Sequence, residues 1–271
     1  MEHRFERINR LPPYVFSEVN EMKARARTEG LDIIDFGMGN PDSPSPPHVV
    51  EKLIEAVKDS RTHRYSTSRG IKGLRGALAS YYLRRFGVEL DPNEEVIVTL
   101  GSKEGLANLA SAISAPGDVI LVPNPSYPIH PYGFIIAGAS VRHVPSGPGF
   151  DLMAEIHRAV RESAPSPRAL VLNFPNNPTA EVVDLSFYRE VVKFAQAHGI
   201  FILSDIAYAE IYFDGEPPPS ILQVPGAREI AVEFSSLSKT YSMPGWRVGF
   251  GAGNRGLIDA LARIKSYLDY F

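Results

Sequence analysis

The sequence predicts an α/β fold: a mainly parallel central sheet with helices packed on both of its faces. Three observations carry that expectation. Short apolar runs recur at residues 33–36, 96–100, 119–123, 169–173, 200–204, 230–235 and 248–251. Several are nearly continuous in Val, Ile, Leu and Phe, as strands covered on both faces are. Between them lie segments whose apolar residues recur three and four apart, the period of an amphipathic helix. Strands and helices alternating at these lengths imply parallel crossover connections.

Along the chain, residues 1–45 are Pro-rich and weakly patterned, and read as an N-terminal arm and lead-in outside the sheet. Residues 46–271 carry the alternating pattern and read as the large domain. Helical spacing is clear at 49–59 and 74–86. The segment 102–114 opens on Ser102, with Glu104 two residues on. Segments 151–162 and 185–197 are amphipathic, and the second runs into His198-Gly199, a suitable C-terminal cap. Pro217-Pro218-Pro219 is the sharpest break and reads as a surface loop. No internal repeat or low-complexity tract interrupts the pattern.

Composition removes several function classes. The 271 residues contain 28 Lys+Arg against 31 Asp+Glu, a formal charge of −3. That near-balance argues against binding nucleic acid or anionic membrane through bulk charge. There is no cysteine, which excludes disulfides, thiolate metal sites and cysteine nucleophiles. A 44% hydrophobic and 22% charged content suits a folded core, not disorder. The longest uncharged stretch, 119–141, holds Pro123, Pro125, Pro128 and Pro131 and so does not read as a membrane helix. The charged start has no apolar secretory core, so a soluble, cytoplasmic protein is expected.

Ligands of open α/β sheets sit beyond the carboxyl ends of the strands. Five successive strand ends here carry polar, small or aromatic groups. They are Gly101-Ser102-Lys103-Glu104, Asn124-Pro125-Ser126-Tyr127, Asn173-Phe174-Pro175-Asn176-Asn177-Pro178-Thr179, Ser204-Asp205-Ile206-Ala207-Tyr208 and Ser235-Ser236-Leu237-Ser238-Lys239. Five such ends in a row indicate one shared site.

Each residue type suggests a chemistry and an ordinary alternative. Gly101-Ser102-Lys103 can cradle a phosphate at a helix N-terminus, or Ser102 can be a plain cap. Arg247 and Ser236 can contact the same phosphate, or Arg247 can be a structural arginine. Lys239 is one of eight lysines and stands among Ser236, Ser238, Thr240, Ser242 and Gly245. Held there in a dry pocket it can lose its proton and act as a nucleophile, or it can be a solvated loop lysine. Asp205 can pair with a protonated ring nitrogen, or cap a helix. Tyr208 can donate to a ring oxygen, and Tyr127 can stack on a ring or pack in the core. Together they specify a phosphorylated heteroaromatic aldehyde, which pyridoxal phosphate matches.

The stretch Ser235-Ser236-Leu237-Ser238-Lys239-Thr240-Tyr241-Ser242-Met243-Pro244-Gly245-Trp246-Arg247-Val248-Gly249 resembles the lysine signature of class I/II pyridoxal-phosphate-dependent aminotransferases of fold type I. Gly39-Asn40-Pro41, Tyr65 with the following Ser-Thr-Ser-Arg-Gly, Gly101-Ser102-Lys103-Glu104-Gly105, Asn124-Pro125-Ser126-Tyr127, Asn177-Pro178-Thr179 and Asp205-Ile206-Ala207-Tyr208 match it in the family's order. The likeness covers nearly the whole chain and is greatest to the bacterial alanine and LL-diaminopimelate aminotransferase branch.

That resemblance implies roles. Lys239 would carry the cofactor covalently and then shuttle the proton between substrate Cα and cofactor C4′, making Lys239, Asp205 and Tyr208 the catalytic set. Asp205 would hold the ring nitrogen protonated, Asn177 and Tyr208 would bind the ring oxygen, and Tyr127 would stack. Ser102, Lys103 through its backbone, Ser236, Ser238 and Arg247 would hold the phosphate. Tyr65 would reach the phosphate of a partner subunit in a homodimer. Gly39, with Asn177, would meet the substrate. The expected activity is ping-pong exchange of an amino group between an amino acid and a 2-oxo acid, alanine with 2-oxoglutarate being favoured.

Two departures qualify the resemblance. Ala180 stands where many relatives have glycine, and no residue before Phe271 can be assigned as the arginine that clamps the substrate carboxylate. The end reads as a C-terminal truncation without the small domain, of which 1–45 would form part, so a catalytically impaired cofactor-binding fragment is one alternative. A pyridoxal-phosphate-dependent carbon–sulfur β-lyase is another, because it shares the cofactor residues. Gly251-Ala252-Gly253-Asn254-Arg255-Gly256 fits a dinucleotide fingerprint locally, but that fingerprint needs a second parallel strand after the helix. No histidine pair has metal spacing, so no metal is expected.

Overall fold

The computed structural model describes residues 5, 8–37 and 39–269. The chain divides into two compact units, Met1–Asp42 and Ser43–Phe271. In the first, a 3-10 turn at Ile8–Arg10 precedes helix α1, Val15–Thr28. The sequence pattern gave no hint of α1, which buries none of its residues. Residues 33–36, expected as a strand, carry no regular structure and join no ladder. An apolar run becomes a strand only where a neighbouring strand takes its N–H and C=O groups.

The second unit is built on a seven-stranded sheet in the order β1-β7-β6-β5-β4-β2-β3. The strands are β1 Val96–Thr99, β2 Val119–Asn124, β3 Ser140–Pro145, β4 Ala169–Asn173, β5 Phe201–Asp205, β6 Ala231–Ser236 and β7 Gly249–Gly253. All pairings are parallel except those of β7, which runs antiparallel to both β1 and β6. Two reversals cancel, so β1 points the same way as β2–β6. Six carboxyl ends therefore share one edge of the sheet, and β7 begins at that edge.

Eight helices complete this unit. They are α2 Pro47–Lys58, α3 Lys72–Phe86, α4 Ser102–Ile113, α5 Ile129–Ala137, α6 Leu152–Arg161, α7 Leu185–His198, the one-turn α8 Leu237–Thr240 and α9 Arg255–Leu268. Side-chain alternation along β4 shows why helices cover both faces. Leu170 and Leu172 pack with Tyr82 of α3, Ile156 of α6 and Val191 of α7. Ala169 and Val171 pack with Leu109 of α4, Phe134 of α5 and Leu261 of α9. A period of two along a strand divides one apolar run between two cores.

The helix boundaries follow from their caps. Asp151, Asp184 and Asn254 each accept a backbone N–H of the first turn of α6, α7 and α9. Gly199 ends α7 in the left-handed region, φ 65°, as its position predicts.

Two sequence readings need correction. α5 and the start of β3 lie within the uncharged stretch, where the sequence predicts only the strand at 119–123. α5 tolerates Pro131 because the first helical turn has no intrahelical use for that N–H. The triple-proline loop is only partly on the surface: Pro218 is buried and its carbonyl accepts from Arg85. Gly251 and Gly253 lie in β7, antiparallel to its neighbours, so the dinucleotide-like match has the wrong strand direction. Among the described residues, no helix is long and apolar enough to cross a membrane.

Candidate active site

Two strand ends and one strand start converge at Gly249. This residue pairs with Thr99 at the end of β1 and with Ser236 at the end of β6. It brings Gly101 and Ser102 so close that a Cβ on Gly249 would lie 2.5 Å from the Ser102 backbone nitrogen. Gly101 caps α4 at φ 81°, and a Cβ there would sit 2.3 Å from an Arg247 guanidinium nitrogen. Ser102 is thus the first helical residue and not the cap. The start of α4, with its uncommitted first-turn N–H groups and positive dipole end, faces a fixed cation.

Arg247 is held by Pro244 and Leu100, whose carbonyls accept at 2.8 and 3.4 Å. Its φ is 56°, and that of Ser242 is 52°. Two non-glycine residues in the left-handed region within one short turn cost energy that the surrounding structure must offset. Beside this turn the Ser236 hydroxyl donates to the Ser238 hydroxyl at 2.8 Å. One helix terminus, one guanidinium and two hydroxyls make a site for a dianion.

A second group lies at the ends of β4 and β5. Asp205 is only 5% exposed. Its Oδ2 lies 3.0 Å from His130 Nε2, and its Oδ1 accepts the Ala207 N–H at 3.1 Å. A carboxylate accepts, which makes Nε2 the protonated nitrogen of the ring. The helix-cap alternative for Asp205 fails, because residues 206–209 form a turn with no helix after it. Tyr127 meets His130 edge-on, ring centroids 6.0 Å apart. The Asn173 amide donates to the Asp205 carbonyl at 2.9 Å, and its oxygen accepts the Asn177 N–H at 2.9 Å. That residue therefore ties the Asn177 loop to the Asp205 strand end.

Asn177 in turn donates to the Tyr208 hydroxyl at 3.3 Å. Burial raises the Tyr208 pKa, while the Asn177 bond lowers it. Lys239 Nζ lies 5.8 Å from the Tyr208 ring centroid, and burial pulls its pKa below the ordinary lysine value. Desolvation favours the neutral amine, the form that can attack a carbonyl or take a proton.

The structure thus brings Gly101, Ser102, Ser236, Ser238 and Arg247 into one group, and Asp205, Asn177, Tyr208, Tyr127 and Lys239 into contact chains around another. Lys103 is in the first turn of α4. Tyr65 is 90% exposed, and Gly39 belongs to the first unit. Sequence reasoning missed His130 and Asn173. The signal for His130 was available: it follows Tyr127 directly after a strand end, in a stretch with no other ionisable group besides tyrosines.

A mainly parallel sheet with this ring of strand-end groups defines an α/β protein with a ligand site at the carboxyl edge of its sheet. Residues 31–268 match the family model for aminotransferase class I and II, and the chain belongs to that family. It is 57% identical over 269 residues to the glutamate-pyruvate aminotransferase AlaC of Escherichia coli, covering 99% of this chain and 65% of that protein. It is 45% identical over 264 residues to the LL-diaminopimelate aminotransferase of Desulforudis audaxviator, covering 97% and 67%. A solved single mutant of Thermus thermophilus aspartate aminotransferase superposes with a TM-score of 0.90 at 31% identity, covering 99% and 69%. The chain spans about two thirds of the length of the curated relatives it matches.

The family and its fold are pyridoxal-phosphate-dependent, and the residues present suit that group. The Gly101 and Gly249 positions, where a Cβ would collide, leave backbone close to the dianion site. Asp205 supplies a buried acceptor for a ring N–H, and Lys239 an amine of lowered pKa.

Proposed function

We propose that this protein is a pyridoxal-phosphate-dependent aminotransferase that exchanges an amino group between alanine or glutamate and pyruvate or 2-oxoglutarate. The observation that carries the reading is the pairing of a half-buried lysine beside Tyr208 with a buried Asp205–His130 pair at neighbouring strand ends. The identity to AlaC, higher than that to the LL-diaminopimelate enzyme, favours alanine as the amino donor.

Bound pyridoxal phosphate supplies an aldehyde for the amino group and a ring that accepts the electron pair left at Cα. The chain's own residues do the rest. Lys239 would hold the cofactor and would move a proton between substrate Cα and cofactor C4′. Asp205 keeps a proton on the ring nitrogen, and His130 orients that carboxylate. Asn177 and Tyr208 hold the ring oxygen, and Tyr127 stacks on the ring. Ser102, Lys103, Ser236, Ser238 and Arg247 bind the phosphate. Gly39 would approach the substrate carboxylate with its backbone, and Asn177 would bind the substrate. Tyr65 reaches the phosphate of a second subunit in a cytoplasmic homodimer, which fits its exposure.

The test is exchange measured with the full-length protein, using alanine and 2-oxoglutarate against LL-diaminopimelate and 2-oxoglutarate. Faster turnover with alanine is expected. Preference for LL-diaminopimelate overturns the substrate assignment. Release of thiol from a cysteine conjugate without amino transfer overturns the reaction class.

A further inference from the structure

Behind the proposed phosphate site lies a buried charge cluster that the chemistry above does not use. Lys265 of α9 is 0% exposed. Its Nζ donates to Glu104 Oε1 at 3.0 Å and to Asp269 Oδ1 at 2.7 Å. A fully buried ammonium is retained only where carboxylates compensate it, and here two do.

Glu104 is the third residue of α4. Its Oε2 accepts the N–H of Leu100 at 2.8 Å, and Oε1 also accepts from the Asn108 amide. The carbonyl of the same Leu100 accepts from Arg247. Leu100, immediately before Gly101, is therefore gripped at its N–H by Glu104 and at its oxygen by Arg247. Gly101 follows with its positive φ, and α4 begins one residue later. The shape of the cradle depends on how Leu100 is held.

The carboxylate that does this holding brings a problem with it. A negative charge in the first turn of a helix occupies the same positive potential that a phosphate dianion uses. Burial pushes the Glu104 pKa up, and the bond to Lys265 opposes that push. Lys265 reaches the carboxylate from the last turn of α9.

We propose that Glu104 and Lys265 are a positioning pair for the phosphate-binding turn. Glu104 fixes the turn by accepting the Leu100 N–H, and Lys265 cancels the charge that would otherwise repel the phosphate. The proposal rests on the pyridoxal-phosphate reading above. It separates two properties of Glu104, its acceptor oxygen and its charge, which different substitutions remove.

The experiment is equilibrium binding to the full-length apo-protein, with pyridoxal phosphate and with pyridoxal, which lacks the phosphate. Trp246, the sole tryptophan, adjoins Arg247 and reports occupancy by its fluorescence. Lys265→Met should weaken pyridoxal phosphate about tenfold or more while leaving pyridoxal within about twofold. Glu104→Gln keeps an acceptor oxygen and should hold affinity within about threefold, whereas Glu104→Ala should lose about tenfold. Adding Glu104→Gln to Lys265→Met should restore most of the loss. Parallel weakening of both ligands, or unchanged pyridoxal phosphate affinity in Lys265→Met, overturns the pair. Should Lys265→Met not fold, equal affinities in Glu104→Ala and Glu104→Gln overturn it as well. Failure of the unmodified protein to bind pyridoxal phosphate sinks the underlying reading instead.

Discussion

Asp205 and Glu233 are buried carboxylates on neighbouring strands, and the sheet register sets them one residue out of step: Asp205 pairs with Phe234, and Ser204 with Glu233. Asp205 closes β5, at the edge where the other strand ends gather. Glu233 lies in the middle of β6 and is 0% exposed. Asp205 keeps its geometry through a histidine and one backbone N–H. Glu233 accepts from Tyr82, Ser220, the Ile221 N–H and Ser204, all neutral donors. Burial raises the Glu233 pKa to about 7, against the combined pull of those donors. The difference teaches that place along a strand, more than burial, separates a carboxylate available for chemistry from one that ties a helix and a loop to the sheet.

That contrast makes substitutions at the strand ends errors of chemistry and those at mid-strand errors of folding. The largest effect is expected at Lys239. Lys239→Ala should abolish borohydride-stable attachment of the pyridoxyl group while leaving the melting temperature of the apo-protein nearly unchanged. Peptide mapping that puts the pyridoxyl group on another lysine breaks the assignment.

Asp205→Ala comes next. Turnover should fall on the order of 10²–10⁴-fold, the usual worth of a proton held at a reacting group. Cofactor affinity should fall far less. Near-normal turnover would place Asp205 with Glu233, as frame and not machinery.

Glu233→Ala tests the opposite side. It opens a cavity and orphans buried hydroxyls and one buried N–H, so a loss of about 3–4 kcal/mol is expected in denaturant unfolding. If the variant is folded, turnover should stay within about threefold of normal.

The pH dependence sharpens the same contrast by a smaller amount. Glu233 titrates near its ordinary 4.5 when unfolded and at about 7 when folded. Because the folded state holds the proton more tightly, this contribution is full below pH 4.5 and is lost as pH rises to about 7. The loss is on the order of 3 kcal/mol. Glu233→Gln should flatten that part of the stability–pH curve; an unchanged slope would show that Glu233 is ionised in the fold.

The smallest effect is at Ala180, where φ is 59°. Ala180→Gly relieves a left-handed alanine and should stabilise by up to about 1 kcal/mol, after the entropy of the unfolded glycine is counted. Destabilisation in a thermal melt would show that the alanine methyl packs well enough to outweigh its backbone strain.

The sequence exposed the strand-end residues because each follows an apolar run directly, so order along the chain stands in for position in space. It hid His130, whose partner lies 75 positions later. The Glu233 cluster was hidden for the same reason, since Tyr82 is 151 positions away, although a lone Glu in an apolar run was a visible signal. Lys265 carried no signal of its own in the sequence, because only packing reveals that α9 turns it inward. β3 was missed because an edge strand buries little and its pattern is weak. The reversal of β7 has no signature in composition or period, and it is why Arg247 precedes its strand while the other site groups follow theirs.

That reversed strand also sets a timetable. Among the described residues β1 pairs in the sheet with β7 alone, and β7 begins at Gly249 while β1 ends at Thr99. A ribosome adds about 5–20 residues per second, so β1 waits on the order of ten seconds for the strand that completes it. During that wait Val96, Ile97 and Val98 form a bare β-prone segment on the growing chain. The cradle at the end of β1 closes only when the segment through Gly249 has emerged, so the order of synthesis makes ligand capture wait for the reversed strand.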